Sequence, residues 1–288
     1  FELGVSLDSI KKGIKMKIEG LKDIYWKKFL DNMRKITDRL CADTRQRMLD
    51  RFMKHVHVDF TASNAYAVVI WALKYANDYF DSQLVEFVRG ITCQDNVIHY
   101  KSNQNTIQGE MWRYLHDERK YECKGAYKLD YRFIVHTHGG IQGDGKGSNL
   151  CDSTTNRIND MLTVAYNLGF DISETPNAQS RYWESNHAQY FHFKDRDGQM
   201  VELAKVRAFK NGNIHFSLNQ KFLCRLNVEF GRLMGWVKSA KEAADEMDIA
   251  VEDALDSFNA NVRLSYHNVM QLNDLSRETE NNSTILAA

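Results

Sequence analysis

The sequence predicts an α+β fold: a helical N-terminal half, a small antiparallel sheet with a β-hairpin at about residues 200–218, and a helical C-terminal segment. Three observations predict it. Apolar residues recur at helical spacing between residues 21 and 88, strand-like runs flank an Asn-Gly pair after residue 200, and Pro176 is the only proline among 288 residues. Because proline breaks helices, its scarcity favours long ones.

Composition is that of a globular chain. Hydrophobic residues make up 43% and charged residues 26%, which supports a core of ordinary size. The longest apolar stretch, residues 65–73, is about half of the ~18 residues that a membrane span needs, and no signal-peptide pattern opens the chain. Five cysteines without a Cys-x-x-Cys motif are typical of reduced thiols. We therefore expect a soluble intracellular protein with no membrane contact.

Three helices are predicted in the front half, at residues 21–40, 45–54 and about 61–90. Thr61 and Ser63 are candidate N-caps of the third, because short polar side chains accept hydrogen bonds from first-turn amides. Gly90 is expected to end this helix, since glycine adopts the left-handed conformation of a helix end without strain.

The middle of the chain changes to strand-like patterns. We predict a short strand at 96–101, a short helix at 107–116 and a longer strand at 127–138. A glycine-rich loop at 139–147 follows, and then a helix that Ser153 caps and that ends before Gly169. Residues 173–186 are predicted to form a polar connection.

The hairpin is the clearest local pattern. Residues 200–209 and 214–218 alternate as strands do, and Asn211-Gly212 lies between them, as in a type I′ turn. A two-residue turn there places Arg207 opposite Phe216 and His215 opposite Ala208. The residues expected on the core face are Phe209, Ile214, Phe216 and Leu218.

Charge and helical pattern divide the chain further. After Lys221 the pattern is helical to about Leu275, and Ser239 with Glu242 forms a capping-box pattern. Residues 1–60 carry 14 Lys and Arg against 9 Asp and Glu, whereas residues 238–280 carry 4 against 10. The predicted segments are a basic helical segment (1–60), an α+β core domain (61–237), an acidic helical hairpin (238–275) and a flexible tail (276–288).

One pattern is similar to a phosphate-binding loop. Gly140-x4-Gly145-Lys146 follows a predicted strand and precedes a predicted helix, as that chemistry requires. However, Gly147 occupies the position of the magnesium-binding hydroxyl, and no second metal-binding strand follows. The pattern favours a flexible glycine loop over a nucleotide site.

Three other patterns also have chemical interpretations. His136 and His138 would lie on one side of a strand, as metal ligands do, but their spacing to other histidines matches no zinc module, so we predict no metal and no cofactor. Arg51-x5-His57 has a spacing used for phosphate and proton-transfer chemistry, and it also arises by chance in basic helices. Residues 239–258 have a helix-turn-helix outline, but an acidic second helix would repel phosphates, so a helical hairpin for protein contact is favoured.

The hairpin carries a family resemblance. Residues 205–216 run Lys-Val-Arg-Ala-Phe-Lys-Asn-Gly-Asn-Ile-His-Phe, and a helix with Leu223 and the pair Leu226-Asn227 follows. This order of strand, turn, strand and helix resembles the signature of DUF4942, a bacterial and phage domain of unknown function. Residues 159–162 and 87–89 also resemble its helices. The resemblance covers residues 60–235, with the tail beyond 238 and the loop 139–147 outside it.

The resemblance implies a biological setting. Members of the family occur on phages, plasmids and prophages, often beside a DNA adenine methyltransferase domain. This chain has no such domain, since an Asp-Pro-Pro-Tyr motif needs two prolines. The resemblance therefore implies a phage or mobile-element role in the bacterial cytoplasm, in contact with nucleic acid, and it supplies no catalytic residues.

Three functions remain open. The favoured one is an accessory protein that binds DNA or RNA, with basic side chains on phosphates and asparagines on bases or sugars. The alternatives are a protein-binding modulator or inhibitor of a host or phage enzyme, acting through the acidic C-terminal helices, and a nucleic-acid-processing enzyme that uses His215 and the strand of His136 and His138. The predicted nucleic-acid-binding residues, beside the basic N-terminal helices, are Lys205, Arg207, Lys210, Asn211, Asn213 and His215.

Overall fold

The computed structural model describes residues 7–32, 39–55, 59–92, 96–103, 125–142 and 149–258. The predicted α+β class is confirmed. Contacts divide the described residues into two compact units, one up to Tyr79 and the other from Phe80 onward. No helix within the described ranges combines the length and the apolar composition that crossing a membrane requires.

The first unit is helical. It contains α1 (Leu7–Asn32), α2 (Ala42–His55) and the beginning of α3 (Ala62–Ile91). Trp26 is buried at its centre, with its ring centroid 5.3 Å from that of Phe52. The predicted start of α3 is confirmed, because the Asn64 amide donates to the Thr61 hydroxyl at 3.2 Å. Helix α1 begins well before the predicted residue 21, since glycines 13 and 20 weaken a helix by only about 1 kcal/mol each.

The second unit carries the sheets. The strands are β1 (Val97–His99), β2 (Tyr127–Leu129), β3 (Arg132–His136), β4 (Ile141–Gln142), β5 (Asn149–Leu150), β6 (Ala188–Lys194), β7 (Met200–Ala208) and β8 (Asn213–Leu218). The four-stranded antiparallel sheet has the order β3-β8-β7-β6, and β1 pairs with β2 and β4 with β5. The helices are α4 (Asp152–Asn167), α5 (Gln220–Leu233), α6 (Ala240–Met247) and α7 (Val251–Phe258).

One face of the main sheet is buried and the other is open. Apolar side chains alternate inward along β8 and β7, where Ile214, Phe216 and Val206 are at most 2% exposed. The Phe170 ring contacts both Phe193 of β6 and Phe222 of α5, at centroid distances of 5.0 and 5.4 Å. Antiparallel sheets commonly cover one face and leave the other to solvent.

Two predicted elements require correction. The single strand predicted at 127–138 is two strands, because the chain turns at Asp130, whose carboxylate accepts from the Tyr131 amide at 2.6 Å. Ser153 is not the N-cap of α4, which is Cys151; the Ser153 hydroxyl instead donates to the His138 carbonyl at 2.6 Å. Strand β6 was not predicted, and the helix predicted at 107–116 lies outside the described residues.

The predicted Ser239 cap and helical hairpin are present at the end of the described chain, but the Glu242 carboxylate accepts from the Lys238 amide at 2.7 Å and not from the Ser239 amide as in a capping box. The Glu242 amide donates to the Ser239 hydroxyl at 3.2 Å, and Asp248 adopts a left-handed conformation (φ 60°) between α6 and α7. Apolar residues of the two helices pack against α5 and its surroundings; the fully buried ones are Ala243 and Ala254. Residues 259–288 lie outside the described ranges.

Candidate functional site

The hairpin turn sets which residues face the open side of the sheet. The Gly212 amide donates to the Phe209 carbonyl at 3.2 Å and the Phe209 amide to the Asn213 carbonyl at 2.9 Å. Gly212 has a φ of 86°, whereas Asn211 is not in the positive-φ region that a type I′ turn needs. The connection is therefore a three-residue loop with a glycine bulge, and the predicted two-residue turn is wrong.

This loop shifts the predicted pairing by one residue. Arg207 pairs with His215, and Ala208 pairs with the buried Ile214. Phe209 leaves the core face and packs at a tilt of 44° against the His215 ring, with 4.5 Å between the centroids. A one-residue shift changes which side chains meet across the strands, so Arg207 and His215 become direct neighbours on the open face.

On the open face, residues that pair between neighbouring strands form two rows across the sheet, and most of them are polar. One row runs from Ile134 through His215 and Arg207 to Ala188. The second row contains Arg132, Ser217, Lys205 and Tyr190. His136 pairs with Asn213 beside the first row.

Except for Ala188 and Tyr190 of β6, these residues form the floor of a cleft of about 860 Å³, which we call the sheet cleft. Its wall is the end of α3 at residues 90–92 together with Asn96. Asn96 is 5% exposed and donates to the carbonyls of Ile91 (3.0 Å) and Ile134 (2.9 Å). This buried amide fixes the end of α3 against edge strand β3, so the wall is held by the fold itself.

The sheet cleft is positively charged. Arg132, Lys205 and Arg207 line it, and none of the described residues lining it is Asp or Glu. The Arg207 Nε is buried and has no hydrogen-bond partner within the described residues. The other two cations lie over aromatic rings, Arg132 at 4.9 Å from Tyr131 and Lys205 at 5.8 Å from Tyr190. Buried donors without partners are costly, so this arrangement is suited to an anionic ligand.

Two histidines share this face. The His136 Nδ1 lies 3.1 Å from the Asn213 Oδ1, and its ring rests against Gly212, where a Cβ would come within 3.0 Å of the ring. Burial, and then the charge of Arg207, lower the pKa of His215. His215 is therefore predominantly neutral near pH 7.

The six predicted binding residues divide into two groups. Lys205, Arg207, Asn213 and His215 line the sheet cleft. Lys210 and Asn211 lie in the exposed loop, where the Asn211 side chain accepts from the Asn213 amide at 3.1 Å and shapes the turn.

The predicted nucleic-acid-binding residues include none from β3, and only the enzyme alternative used this strand, through His136. Its burial alternates, with Phe133 and Val135 buried and Arg132 and His136 exposed, so the sequence carried a signal that these two share a face. That β3 pairs with β8 is a long-range fact that no local pattern reveals. His138 lies beyond the end of β3, so it does not share a strand face with His136. Within the described residues no group of three or more His, Cys, Asp or Glu side chains is arranged to hold a metal ion.

The glycine-rich loop has a structural explanation where it is described. Gly140 has a φ of 58°, and a Cβ there would collide with the Phe209 carbonyl, so close approach to the hairpin requires glycine. Gly145 and Lys146 lie outside the described residues, as does His57. Arg51 lies over the Tyr75 ring at 5.9 Å.

A second cleft of about 810 Å³, which we call the helix groove, lies beside α5 and the α6–α7 hairpin. It is lined by charges of both signs. Its carboxylates are Asp130, Asp195, Asp197, Asp248, Asp253 and Asp256, and its cations are Lys128, Lys194, Arg196, Lys221 and Arg225. Burial lowers the pKa of Lys128, whose ammonium donates to the Met247 carbonyl.

Comparison with known proteins places the chain in a family. None of the curated proteins and none of the solved structures compared matches it. The model of DUF4942, a domain of unknown function, matches residues 18–236. The match begins before the expected residue 60 and spans the glycine-rich loop, while the tail beyond 238 is outside it. The chain therefore belongs to the DUF4942 family.

Proposed function

We propose that this protein binds single-stranded nucleic acid across the open face of its four-stranded sheet. The observation that carries the proposal is the cluster of Arg132, Lys205 and Arg207 in a cleft whose described lining has no carboxylate. A phosphate backbone supplies a row of negative charges that such a cluster can neutralise, with release of counterions.

The residues beside the cations favour a nucleic acid over a single small anion. Tyr190 is 43% exposed and lies in the same row as Lys205 and Ser217. Exposed aromatic rings stack on bases, while amides and hydroxyls such as those of Asn213 and Ser217 bond to base edges and sugars. Cations, an exposed ring and neutral polar groups therefore lie together on one surface.

The shape of the surface favours a single strand. Proteins that read a duplex insert a helix or a two-stranded ribbon into the major groove. The candidate helix for that role, α7, carries Glu252, Asp253 and Asp256, which repel phosphates. A sheet face with a wall along one side instead offers a surface on which unstacked bases lie flat.

The family resemblance supports a biological setting for this proposal. We propose that the protein acts in the bacterial cytoplasm, as an accessory factor of a phage or mobile element. Its expected partner is DNA or RNA, with the basic N-terminal helices adding further phosphate contacts.

A second candidate is binding of a protein partner through the acidic hairpin. Val251 and Leu255 of α7 are 46% and 51% exposed although they are apolar. They lie beside Glu252 and Asp256 on a helix that is held to the unit by Ala254. An apolar pair among carboxylates suits a basic amphipathic segment of another protein.

The first test is a titration of the purified protein against labelled single-stranded RNA, single-stranded DNA and duplex DNA. It is run at about 50 and about 200 mM salt, because phosphate contacts weaken with salt. We expect single strands to bind more tightly than duplex and the affinity to fall with salt. Arg207→Gln should weaken binding about 10-fold or more, since a charge-assisted hydrogen bond contributes about 1.5–3 kcal/mol.

Arg225→Gln is the matched control. Arg225 is also half-buried with a buried Nε that has no hydrogen-bond partner in the described residues, but it lines the helix groove. Its replacement should leave the affinity unchanged. Absence of binding at low salt, or an equal loss in both variants, would contradict the proposed function.

A further inference from the structure

Two histidines lie on the open face at a separation suited to joint proton transfer. His136 pairs with Asn213, and His215 lies two residues farther along β8 on the same face. With ordinary strand spacing and rise, their Cα atoms are roughly 8 Å apart. A phosphodiester bound to the neighbouring cations can therefore lie between the two imidazoles.

Each imidazole is held in place while part of it stays available. The Asn213 Oδ1 and the backbone of Gly212 fix the His136 ring, and within the described residues only its Nδ1 has a hydrogen-bond partner. Phe209 packs against the His215 ring, and neither ring nitrogen of His215 bonds to a described residue. The other charged groups that line the sheet cleft are the cations Arg132, Lys205 and Arg207, whereas Glu202 pairs with His192 farther across the sheet, outside this lining.

We propose that the sheet cleft cleaves single-stranded RNA by acid–base catalysis, with His215 as the base and His136 as the acid. The inference rests on the proposed function, since it needs RNA bound in the same cleft. His215 takes the proton of a ribose 2′-hydroxyl, and the 2′-oxygen forms a bond to the adjacent phosphorus. The bond from phosphorus to the 5′-oxygen breaks, and His136 gives its proton to that leaving oxygen.

The products follow from this balance of atoms. One fragment ends in a 2′,3′-cyclic phosphate and the other begins with a 5′-hydroxyl, with no water consumed and no oxidation. The nucleophile is part of the substrate, so the step needs only a base, an acid and cations that stabilise the pentacoordinate phosphorane. DNA lacks the 2′-hydroxyl and is bound without being cleaved.

The surroundings of the two rings match these roles. Burial and Arg207 lower the pKa of His215, which keeps its imidazole neutral and able to accept a proton. The Asn213 carbonyl oxygen accepts from the Nδ1–H of His136 in both protonation states, so the Nε2 of the protonated ring is left to donate. Arg207 beside His215 provides guanidinium donors for the phosphate oxygens.

The test incubates the protein, in EDTA, with three labelled single strands of one sequence: RNA, DNA, and DNA with a single ribonucleotide. We expect the RNA to be cleaved and the mixed strand to be cut only after its ribonucleotide, with cyclic-phosphate and 5′-hydroxyl ends by mass spectrometry. The rate should have a bell-shaped pH profile. His136→Ala and His215→Ala should each slow cleavage about 100-fold or more, and added imidazole should restore part of the rate.

His138→Ala is the matched control, because His138 is exposed next to the same strand but lies outside the lining of the cleft. Binding without cleavage would overturn the catalytic proposal and leave the proposed function standing. Loss of both binding and cleavage would overturn both. Cleavage of DNA at the rate of RNA, or histidine variants that cleave like the wild type, would also overturn the catalytic proposal.

Discussion

The sheet cleft and the helix groove have almost the same volume, about 860 and about 810 Å³, but their linings differ in charge. Cations of the sheet cleft have no carboxylate beside them in its described lining, whereas the helix groove mixes carboxylates and cations. Lys194 of this groove also bonds to Glu174, a carboxylate outside the lining, at 3.0 Å. Volume alone therefore does not identify a binding site here, and the balance of charge in the lining does.

The two clefts also differ in what holds their polar groups. In the helix groove, the Asn227 side chain accepts from the backbone N–H of Leu129 at 2.8 Å and donates to its carbonyl at 3.1 Å. It thus makes the two hydrogen bonds that a neighbouring strand would make. In the sheet cleft, Asn213 faces a histidine side chain instead. Backbone partners indicate a structural amide, while a side-chain partner on an open face leaves the group available to a ligand.

The largest expected effect comes from removing the cations of one cleft at a time. The triple variant Arg132→Gln/Lys205→Gln/Arg207→Gln should bind single strands at least about 100-fold more weakly. The slope of log affinity against log salt should become shallower by about 2, because each contacted phosphate of a single strand contributes about 0.7. Fluorescence anisotropy at several salt concentrations measures both quantities.

The helix groove provides the contrasting triple variant. Arg196→Gln/Lys221→Gln/Arg225→Gln removes the same number of positive charges from the other cleft. If affinity follows only net charge, both variants will lose the same amount, and the comparison between the clefts fails. Retention of the affinity and of the salt slope in this variant locates the phosphates in the sheet cleft.

The hairpin glycine is expected to matter next most. Gly212→Ala places a methyl group against the Thr137 carbonyl at a φ of 86°, so we expect a loss of about 3 kcal/mol in the free energy of unfolding. Gly235→Ala is the control: its φ is 70°, but no atom lies within 4 Å of the added Cβ, so only about 1 kcal/mol should be lost. Urea denaturation measures both, and equal losses would show that the hairpin contact adds nothing.

Replacements of Asn227 and Asn213 are expected to have opposite effects on stability and on single-strand binding. Asn227→Ala leaves two backbone groups of buried Leu129 without partners, which should lower the free energy of unfolding by about 2 kcal/mol while single-strand affinity stays unchanged. Asn213→Ala should do the reverse, with weaker binding and little loss of stability. Binding titrations beside urea denaturation test both, and a stability loss for Asn213→Ala as large as for Asn227→Ala would remove the distinction.

Local signals in the sequence predicted much of this framework. Thr61 and Ser239 act as caps in the way that their positions indicate. The hairpin strands were also predicted, but not their register, because an Asn-Gly pair fits both a two-residue turn and a three-residue loop with a glycine bulge. The difference is a single residue, yet it decides that Arg207 meets His215.

The candidate site depended on pairing that local patterns do not contain. Arg132 and His136 reach the sheet cleft only because β3 joins β8, about 80 residues later in the chain. Strand β6, which brings Tyr190 to the same face, was missed although its local signal is present, because alternating polar and aromatic residues precede Asp197-Gly198, a pair typical of hairpin turns. The predicted hairpin residues thus formed part of a site whose remaining members came from distant strands.

The smallest expected effect concerns the pH dependence of stability. The pKa of His215 is lowered in the folded state. As pH falls below about 6.5, the imidazole of this residue therefore binds a proton more readily in the unfolded chain than in the folded protein. Stability attributable to His215 is therefore full above that pH and decreases as pH falls toward the folded pKa. His215→Gln should lose less stability than the wild type between pH 7.5 and 5.5, measured by thermal unfolding.

His138→Ala should behave like the wild type, since His138 is exposed outside the cleft. If the wild type instead gains stability on acidification relative to His215→Gln, a negative charge faces this ring, and the sheet cleft is not the purely cationic surface that separates it from the helix groove.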